Sequence, residues 1–219
     1  MRTILKSILL FLVVFSTGTV LAQDEDVKSN DFNPWQFRLR GIVITPDESA
    51  NIEAIGGTAD ISSTFVPELD ITYFFSERFA AELILATNNH DVAAVGTAAG
   101  DVDLGDVWLL PPTLTFQYHH TDWGKFKPYV GAGINYTIFY GEDEGPVADD
   151  VSYDNAFGFA LQLGFDIKID DNWFINADLK KLFLNTDVTV NTTTALGATV
   201  NADVDIDPWI FGIGIGYKL

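Results

Sequence analysis

Apolar and polar residues alternate with a period of two along most of the chain after residue 34. Eight such runs can be recognised, over residues 35–44, 64–75, 79–88, 110–119, 126–140, 155–169, 173–184 and 204–219. In the sixth run Phe, Leu and Ile occupy every second position from Phe157 to Ile169, with small or polar residues between them. This period is that of β-strands whose two faces meet different surroundings. The pattern predicts an all-β fold.

The connections between these runs alternate in length. Short connections cover residues 76–78, 120–125 and 170–172, whereas long ones cover 45–63, 89–109, 141–154 and 185–203. Short turns at one end and long loops at the other are typical of outer-membrane barrels, with both termini at the periplasmic end. A soluble β-sandwich has no physical reason to place its short and long connections at opposite ends. We therefore expect an eight-stranded antiparallel transmembrane β-barrel over residues 35–219, with short periplasmic turns and long extracellular loops.

The two faces of each run differ in a way that suits a membrane. One row is rich in Phe, Leu and Ile, which suits lipid, and the other is rich in Gly, Ala, Thr, Asn and Gln. Eight strands leave an interior that side chains fill, so small and polar residues fit a narrow lumen. Aromatic residues lie near both ends of the runs, as they do in the girdles at membrane interfaces.

The N-terminus has the pattern of a secretory signal. Arg2 and Lys6 precede an apolar stretch over residues 8–15, and residues 20–22 form a small-residue cleavage site. This predicts a signal peptide over residues 1–22, followed by a periplasmic segment over residues 23–34. No later stretch approaches the roughly 18 consecutive apolar residues that a membrane helix requires.

Composition narrows the function classes. The chain has 31 acidic and 12 basic residues, a net charge of −19, which argues against nucleic acid as a partner. It has no cysteine, so neither a disulfide nor a lipoprotein anchor is expected. The acidic loop over residues 142–150 is interpreted as solvated rather than as a metal site. The three histidines lack a neighbouring nucleophile, so we expect neither an enzyme nor a cofactor.

Several stretches resemble the OmpW family of small outer-membrane proteins. The most specific are residues 110–114 (LPPTL) and 128–137 (PYVGAGINYT), and residues 35–40 (WQFRLR), 82–83 (EL), 90–91 (HD) and 207–209 (DPW) also match in order. The last residue departs from the pattern, because Leu219 stands where such barrels usually end in Phe.

The resemblance implies a narrow, rather apolar channel that passes small hydrophobic molecules across the bacterial outer membrane. Under that interpretation the partners are small hydrophobic solutes, outer-membrane lipids and lipopolysaccharide, and the barrel is compatible with a monomer. The alternative is a structural or adhesion barrel with a sealed lumen that acts through its extracellular loops. A membrane-embedded enzyme is the least favoured class.

The inward-facing positions suggest a divided lumen. Residues predicted to line an apolar funnel near the long-loop end are Ile42, Ile44, Val66, Ile84, Ala86, Phe139, Leu182 and Leu184. Residues predicted to form a polar plug near the short-turn end are Arg38, Asp70, Gln117, Lys127, Gln162, Asp166, Lys168 and Asp178. A solute that enters the funnel would then leave sideways between strands. The competing interpretation is that a small barrel simply fills its interior, and the outward position of Lys181 leaves the register beyond Leu179 open.

Overall fold

The computed structural model describes residues 33–53, 55–193 and 197–219. The signal peptide predicted over residues 1–22, and residues 23–32 of the predicted periplasmic segment, lie outside the described residues. Within the described ranges, no helix is long and apolar enough to cross a membrane.

The described chain consists of fifteen strand segments. In order they are β1 (Trp35–Thr45), β2 (Ser49–Ile52), β3 (Thr58–Ile61), β4 (Thr64–Phe74), β5 (Phe79–Ala86), β6 (Asn88–Thr97), β7 (Gly100–Leu110), β8 (Thr113–His119), β9 (Phe126–Glu144), β10 (Asp150–Tyr153), β11 (Ala156–Lys168), β12 (Trp173–Phe183), β13 (Asn185–Thr192), β14 (Ala198–Asp205) and β15 (Trp209–Lys218).

Eight of these segments close into an antiparallel barrel in the order β1, β4, β5, β8, β9, β11, β12 and β15. The last strand pairs with the first, so that Gln36 lies opposite Lys218 and Thr45 lies opposite Trp209. Closure leaves no unpaired sheet edge, which is a requirement for a sheet in lipid. The predicted eight-stranded barrel is confirmed.

The other seven segments extend the barrel strands beyond its long-connection end. They pair as β3–β6–β7, joined to the upper part of β9, and as β10–β13–β14–β2. We call this extension the crown. The long connections are present as expected, but much of their length is β-structure. Their alternation is less visible because small side chains carry it, as where buried Val188 and Val190 flank exposed Thr189.

The two faces of the barrel strands separate as the pattern predicted. Outward positions carry large exposed apolar side chains, whereas inward positions are buried and mostly polar. At the short-turn end the outward aromatics contact one another, with Trp35–Tyr73 and Trp173–Tyr217 ring centroids each 4.9 Å apart. Rings of this kind, with an apolar body and a polar tip, suit a membrane interface.

The register of β12 continues without a shift past Leu179. Lys180 is buried in the lumen, and Lys181 faces outward opposite Trp209 of β15. The Lys181 ammonium lies 3.0 Å from the Asp47 carboxylate and 4.9 Å from the Trp209 ring centroid. Its long side chain therefore reaches the polar rim of the barrel, and no bulge is needed to explain its position.

Glycines on the lumen face are required where neighbouring groups approach closely. A Cβ atom on Gly133 would lie 2.1 Å from the Leu114 carbonyl oxygen, so this position of β9 admits only glycine. A Cβ atom on Gly216 would lie 2.0 Å from the ring of Phe174, which points inward from β12. The alternating glycines of the C-terminal run therefore make room for the filling of the lumen.

Candidate functional site

The middle of the lumen is filled by charged side chains that contact one another. Arg40 is at its centre, with Nη2 at 2.9 Å from Glu68 Oε1 and 2.7 Å from Asp70 Oδ2. Its Nη1 lies 2.5 Å from Asp178 Oδ2 and donates to Asn176 Oδ1 at 3.1 Å. One guanidinium thus joins side chains from β4, which is next to β1, and from β12, which is next to β15. We call the whole charged network the plug.

Arg38 extends the plug toward the short-turn end. Its Nη1 pairs with Glu82 of β5, and its Nη2 lies 3.2 Å from Asp166 Oδ2 of β11. The guanidinium carbon also lies 5.0 Å from the centroid of the Tyr129 ring. Cationic groups over aromatic faces are attracted by the ring quadrupole, so the ring is a further partner for this buried charge.

Amide side chains complete the network across the barrel. Gln162 Nε2 donates to Asp178 Oδ2 at 2.7 Å and to Glu82 Oε1 at 3.1 Å. Its Oε1 accepts a hydrogen bond from Gln117 Nε2 at 2.8 Å. Lys180 Nζ donates to Glu68 Oε1 at 2.6 Å, at the level nearest the crown. Together with those of Arg38 and Arg40, these bonds join side chains from β1, β4, β5, β8, β11 and β12 across the lumen.

Aromatic rings close the plug toward the short-turn end. The His119 ring stacks on Tyr129 with centroids 4.8 Å apart and contacts Phe74 at 4.9 Å. All three rings are buried. Below the charges, the lumen is therefore also filled by side chains.

The plug holds more negative than positive groups. Its carboxylates are Glu68, Asp70, Glu82, Asp166 and Asp178, and its cationic groups are Arg38, Arg40 and Lys180. Charges removed from water are tolerated only when each is paired and hydrogen-bonded. Asp70 is the least satisfied, because neither of its oxygens accepts a hydrogen bond of regular geometry, although Oδ2 touches Arg40.

Six of the eight residues predicted for the plug lie in this network: Arg38, Asp70, Gln117, Gln162, Asp166 and Asp178. The other two, Lys127 and Lys168, are half-buried at the short-turn end, below the network. The sequence prediction omitted Arg40, Glu68, Glu82 and Lys180. The spacing contained a signal for three of them, since Arg40 follows Arg38, Lys180 follows Asp178 and Glu68 precedes Asp70 by one period of the strand.

An apolar cavity of about 100 Å³ lies on the crown side of the plug. Four of the residues predicted for the funnel line it: Ile44, Phe139, Leu182 and Leu184. The other four do not. Ile42, Val66 and Ala86 pack in an apolar layer between the cavity and the plug, and Ile84 is buried without reaching the cavity wall.

Most of the cavity wall comes from the crown, which the prediction treated as loops. The apolar lining residues there include Ile52, Val92, Val107, Leu109, Val188, Val190, Val200, Val204 and Ile206. Among the described residues, none of the charged side chains of the plug contributes to the lining. The apolar cavity thus lies above the charged plug, and higher in the barrel than the sequence indicated.

A few polar side chains also line the cavity. The hydroxyls of Thr137, Thr186 and Thr192 each donate to a protein oxygen, at 2.8, 2.7 and 2.8 Å. Two further polar residues of the lining, Asn88 and His90, are on β6. They are two residues apart and share the inward face. Burial lowers the pKa of His90 below its ordinary value of 6.5, with its bond to Ser62 and the nearby Asp91 opposing this shift.

The mouth of the crown is acidic. Every charged residue in the segments 45–63, 87–112, 139–155 and 184–208 is Asp or Glu. The pKa of Tyr153, at the cavity wall, is raised by burial and by the nearby Glu142 and Asp106. A surface with one sign of charge repels ions of that sign and attracts the other.

The backbone ladder is interrupted beside the cavity, between β5 and β8, where a side-chain hydrogen bond from Thr87 Oγ1 to the Leu109 carbonyl oxygen, at 3.2 Å, remains. The ladder pairs Ile84 with Thr113, and the crown ladder resumes with Asn88 opposite Leu109. Residues 85–87 and 110–112, all of them described, have no ladder partner across this junction. Pro111 and Pro112 have no N–H to donate, so they cannot close the ladder here. Pro111 also lines the cavity.

The sequence that forms this closed barrel, with its charged plug and apolar crown, matches a known protein family. The family model described as OmpW family covers residues 34–219. The chain belongs to the OmpW family. The crystal structure of the outer membrane protein OprG from Pseudomonas aeruginosa superposes on this OmpW-family barrel with a TM-score of 0.78. The two are 30% identical, and the match covers 85% of this chain and 96% of OprG.

Two sequence relatives complete the comparison of this OmpW-family chain. It is 45% identical over 187 residues to the uncharacterized outer-membrane protein y4mB of Sinorhizobium fredii, covering 85% of this chain and 80% of y4mB. It is 31% identical over 192 residues to the dibenzothiophene metabolism operon protein PahQ of Pseudomonas aeruginosa, covering 84% of this chain and 88% of PahQ.

Family membership fixes the location and orientation of the OmpW-family barrel. The protein is a β-barrel of the bacterial outer membrane and not an enzyme. The short-turn end is therefore periplasmic, and the crown is extracellular.

Proposed function

We propose that the protein is a passive transporter that admits small, uncharged hydrophobic molecules from outside and releases them sideways into the outer membrane. The observation that carries this proposal is the position of the apolar cavity, above a plug that fills the lumen. A solute that enters the crown meets an apolar wall, and burying its surface there is favourable by about 25 cal/mol per Å².

The chemistry of the crown supports this class of solute. The cavity wall is built of Ile, Val, Leu and Phe, which offer no partner to a charged group. The acidic mouth repels anions, so a fatty-acid carboxylate is disfavoured relative to a neutral hydrocarbon or aromatic compound. PahQ is named for a dibenzothiophene metabolism operon, and dibenzothiophene is a neutral aromatic compound.

The plug and the wall together favour a lateral route. Buried, paired charges obstruct a path along the barrel axis for an apolar solute, because it would have to break ion pairs in a dry interior. The junction at residues 85–87 and 110–112 is beside the cavity and lacks ladder pairs. A solute displaced through it reaches the apolar outer face of the barrel without crossing the plug.

The test is uptake by whole cells, because only they have the natural asymmetric outer membrane. A strain without an endogenous protein of this family would express the barrel and an intracellular enzyme that converts an aromatic hydrocarbon to a measurable product. Val188→Asp places a charge in the cavity and should abolish the barrel-dependent part of the rate. Thr189→Asp, on the exposed face of the same strand, is the matched control and should leave that rate unchanged.

Two further variants sharpen the test. The first distinguishes loss of transport from loss of folding, and the second distinguishes the lateral route from a route along the barrel axis. Val188→Phe keeps the cavity apolar but fills it, so it should also reduce uptake. Pro111→Val combined with Pro112→Val restores two N–H donors at the junction and should slow lateral release. Unchanged uptake in both Val188 variants would refute the cavity route. Uptake equal to that of cells without the barrel would favour the structural or adhesion barrel instead.

A further inference from the structure

Two polar side chains in the apolar cavity have unused hydrogen-bonding capacity. The three threonine hydroxyls of the lining are committed to protein oxygens. The Tyr153 ring stacks on Phe139, with centroids 5.5 Å apart. Asn88 and His90 differ from these residues.

Asn88 is buried, with 2% of its surface exposed, and its Oδ1 has no hydrogen-bond partner among the described residues. Most buried polar atoms are hydrogen-bonded, because an unpaired one loses its water without compensation. Asn88 Oδ1 has less than 1 Å² of accessible surface, so a bound molecule reaches it only after the side-chain amide turns.

His90 offers a second acceptor on the same face of β6. Its Nδ1 lies 2.5 Å from the Ser62 carbonyl oxygen, which can only accept, so Nδ1 carries the proton. The lowered pKa keeps the ring neutral at neutral pH, so Nε2 has a free lone pair. No group among the described residues bonds Nε2, which makes it the ring atom left for a solute.

The two residues are neighbours on one face of β6 in the cavity wall. They are separated by one period of a strand, about 7 Å along the chain, and both line the cavity. Their neighbours across the strands are Leu109 and Val107, which are apolar. The cavity thus has one polar corner in an apolar wall, an arrangement by which binding sites orient amphiphilic ligands.

We infer that His90, with Asn88 beside it, forms a subsite in which His90 Nε2 accepts a hydrogen bond from the hydroxyl or N–H group of an otherwise apolar solute. The protein then selects phenols, alcohols and similar donors over the hydrocarbons of the same shape. This inference rests on the proposed function, because it concerns the same cavity, and it adds a preference within the class of solutes.

The direct test is nitrogen NMR of the barrel in lipid nanodiscs with 15N-labelled histidine. The chain has three histidines, and His119 and His120 lie at the periplasmic end, where they serve as internal references. Three probes share one ring system: 1-naphthol donates a hydrogen bond, 1-methoxynaphthalene only accepts, and naphthalene does neither. The Nε2 resonance of His90 should move with 1-naphthol alone.

Binding measurements on variants give an independent readout. Partition of each probe into loaded nanodiscs is compared with partition into empty ones. His90→Phe should weaken 1-naphthol binding roughly three- to tenfold, the effect of losing one hydrogen bond, and should leave naphthalene binding unchanged. Asn89→Leu, on the opposite face of β6 and outside the cavity lining, is the control.

The outcomes separate this inference from the proposed function. Equal binding of 1-naphthol and 1-methoxynaphthalene, with no movement of the His90 resonance, overturns the donor subsite while the transport of apolar solutes stands. If none of the three probes binds above the empty-nanodisc level, the cavity does not bind such solutes, and the proposed function fails with it. The resonance experiment uses the unaltered protein, so a variant that fails to fold does not obstruct the test.

Discussion

The charge balance of the plug predicts unequal consequences for substituting the two members of one of its ion pairs. Arg40 and Asp70 are 2.7 Å apart, and both are buried. Arg40→Gln removes one of the three cationic groups of the plug and leaves its five carboxylates with only two. Removing one partner of a buried ion pair costs about 3–5 kcal/mol, because the other charge remains in the dry interior. We expect the free energy of unfolding to fall by that amount.

Asp70→Asn removes a carboxylate from a network that has two in excess. The amide keeps the shape of the side chain, and its oxygen can still accept from Arg40. The interaction lost is that of a carboxylate without a regular hydrogen bond. The expected change in the free energy of unfolding is about 1 kcal/mol or less, the net value of one ordinary hydrogen bond.

Both variants can be measured by urea unfolding of the barrel refolded into short-chain phosphatidylcholine vesicles. Tryptophan fluorescence reports the transition, since Trp35, Trp173 and Trp209 are at the ends of barrel strands. Equal destabilisation by Arg40→Gln and Asp70→Asn would refute the reasoning, because it would mean that the plug is balanced in charge rather than short of cations.

Three other predictions follow from contacts described above. In the same urea assay Lys180→Met should cost about 3–5 kcal/mol, since its ammonium is buried in an ion pair, whereas Lys181→Met should cost about 1 kcal/mol or less, since its partner is exposed. Gly133→Ala should lower the folded fraction seen by heat-modified gel mobility, because its Cβ would meet backbone at 2.1 Å, while Gly131→Ala, whose nearest contact is 3.1 Å, should fold normally. Binding of 1-naphthol should hold at neutral pH and be lost only as the pH falls below the lowered pKa of His90, where Nε2 gains a proton; undiminished binding of 1-naphthol in strongly acidic buffer would contradict this.

The barrel could be predicted from the sequence because its outward row is strongly apolar. Residues such as Phe157, Phe159 and Leu161 repeat with a period of two, and the connections are sorted by length. Both signals are local in the chain, so they need no knowledge of tertiary contacts. The direction of each side chain in β1 and β11 followed directly from parity.

The crown could not be predicted in the same way. Val188, Val190 and Val200 alternate with Thr, Asn and Asp, and short stretches of this kind are as common in loops as in strands. They become strands because β13 pairs with β10 and β14 pairs with β2, which are distant in the chain, and because their Val side chains are buried around a shared cavity. The position of the cavity depends on these pairings.

For a related reason, only part of the plug was predicted. Parity indicated which charges face inward, including Arg38 and Asp166, but not which of them meet. Glu82 and Arg38 are 44 residues apart and lie on strands that are not adjacent, so their contact depends on the barrel's diameter and stagger. The subsite on β6 was also missed, because an unpaired Asn88 can be recognised only once its surroundings are known.

The plug has a consequence for how the barrel is assembled. Shifting one strand by a single residue turns its whole inward row toward lipid. For β1 this would expose Arg38 and Arg40 to hydrocarbon, at about 2–4 kcal/mol for each cation near the bilayer midplane. It would also leave their carboxylate partners in the lumen without a counter-charge. The charges thus penalise each such misaligned insertion intermediate far more than an apolar filling would. They therefore favour the native register as the strands are joined.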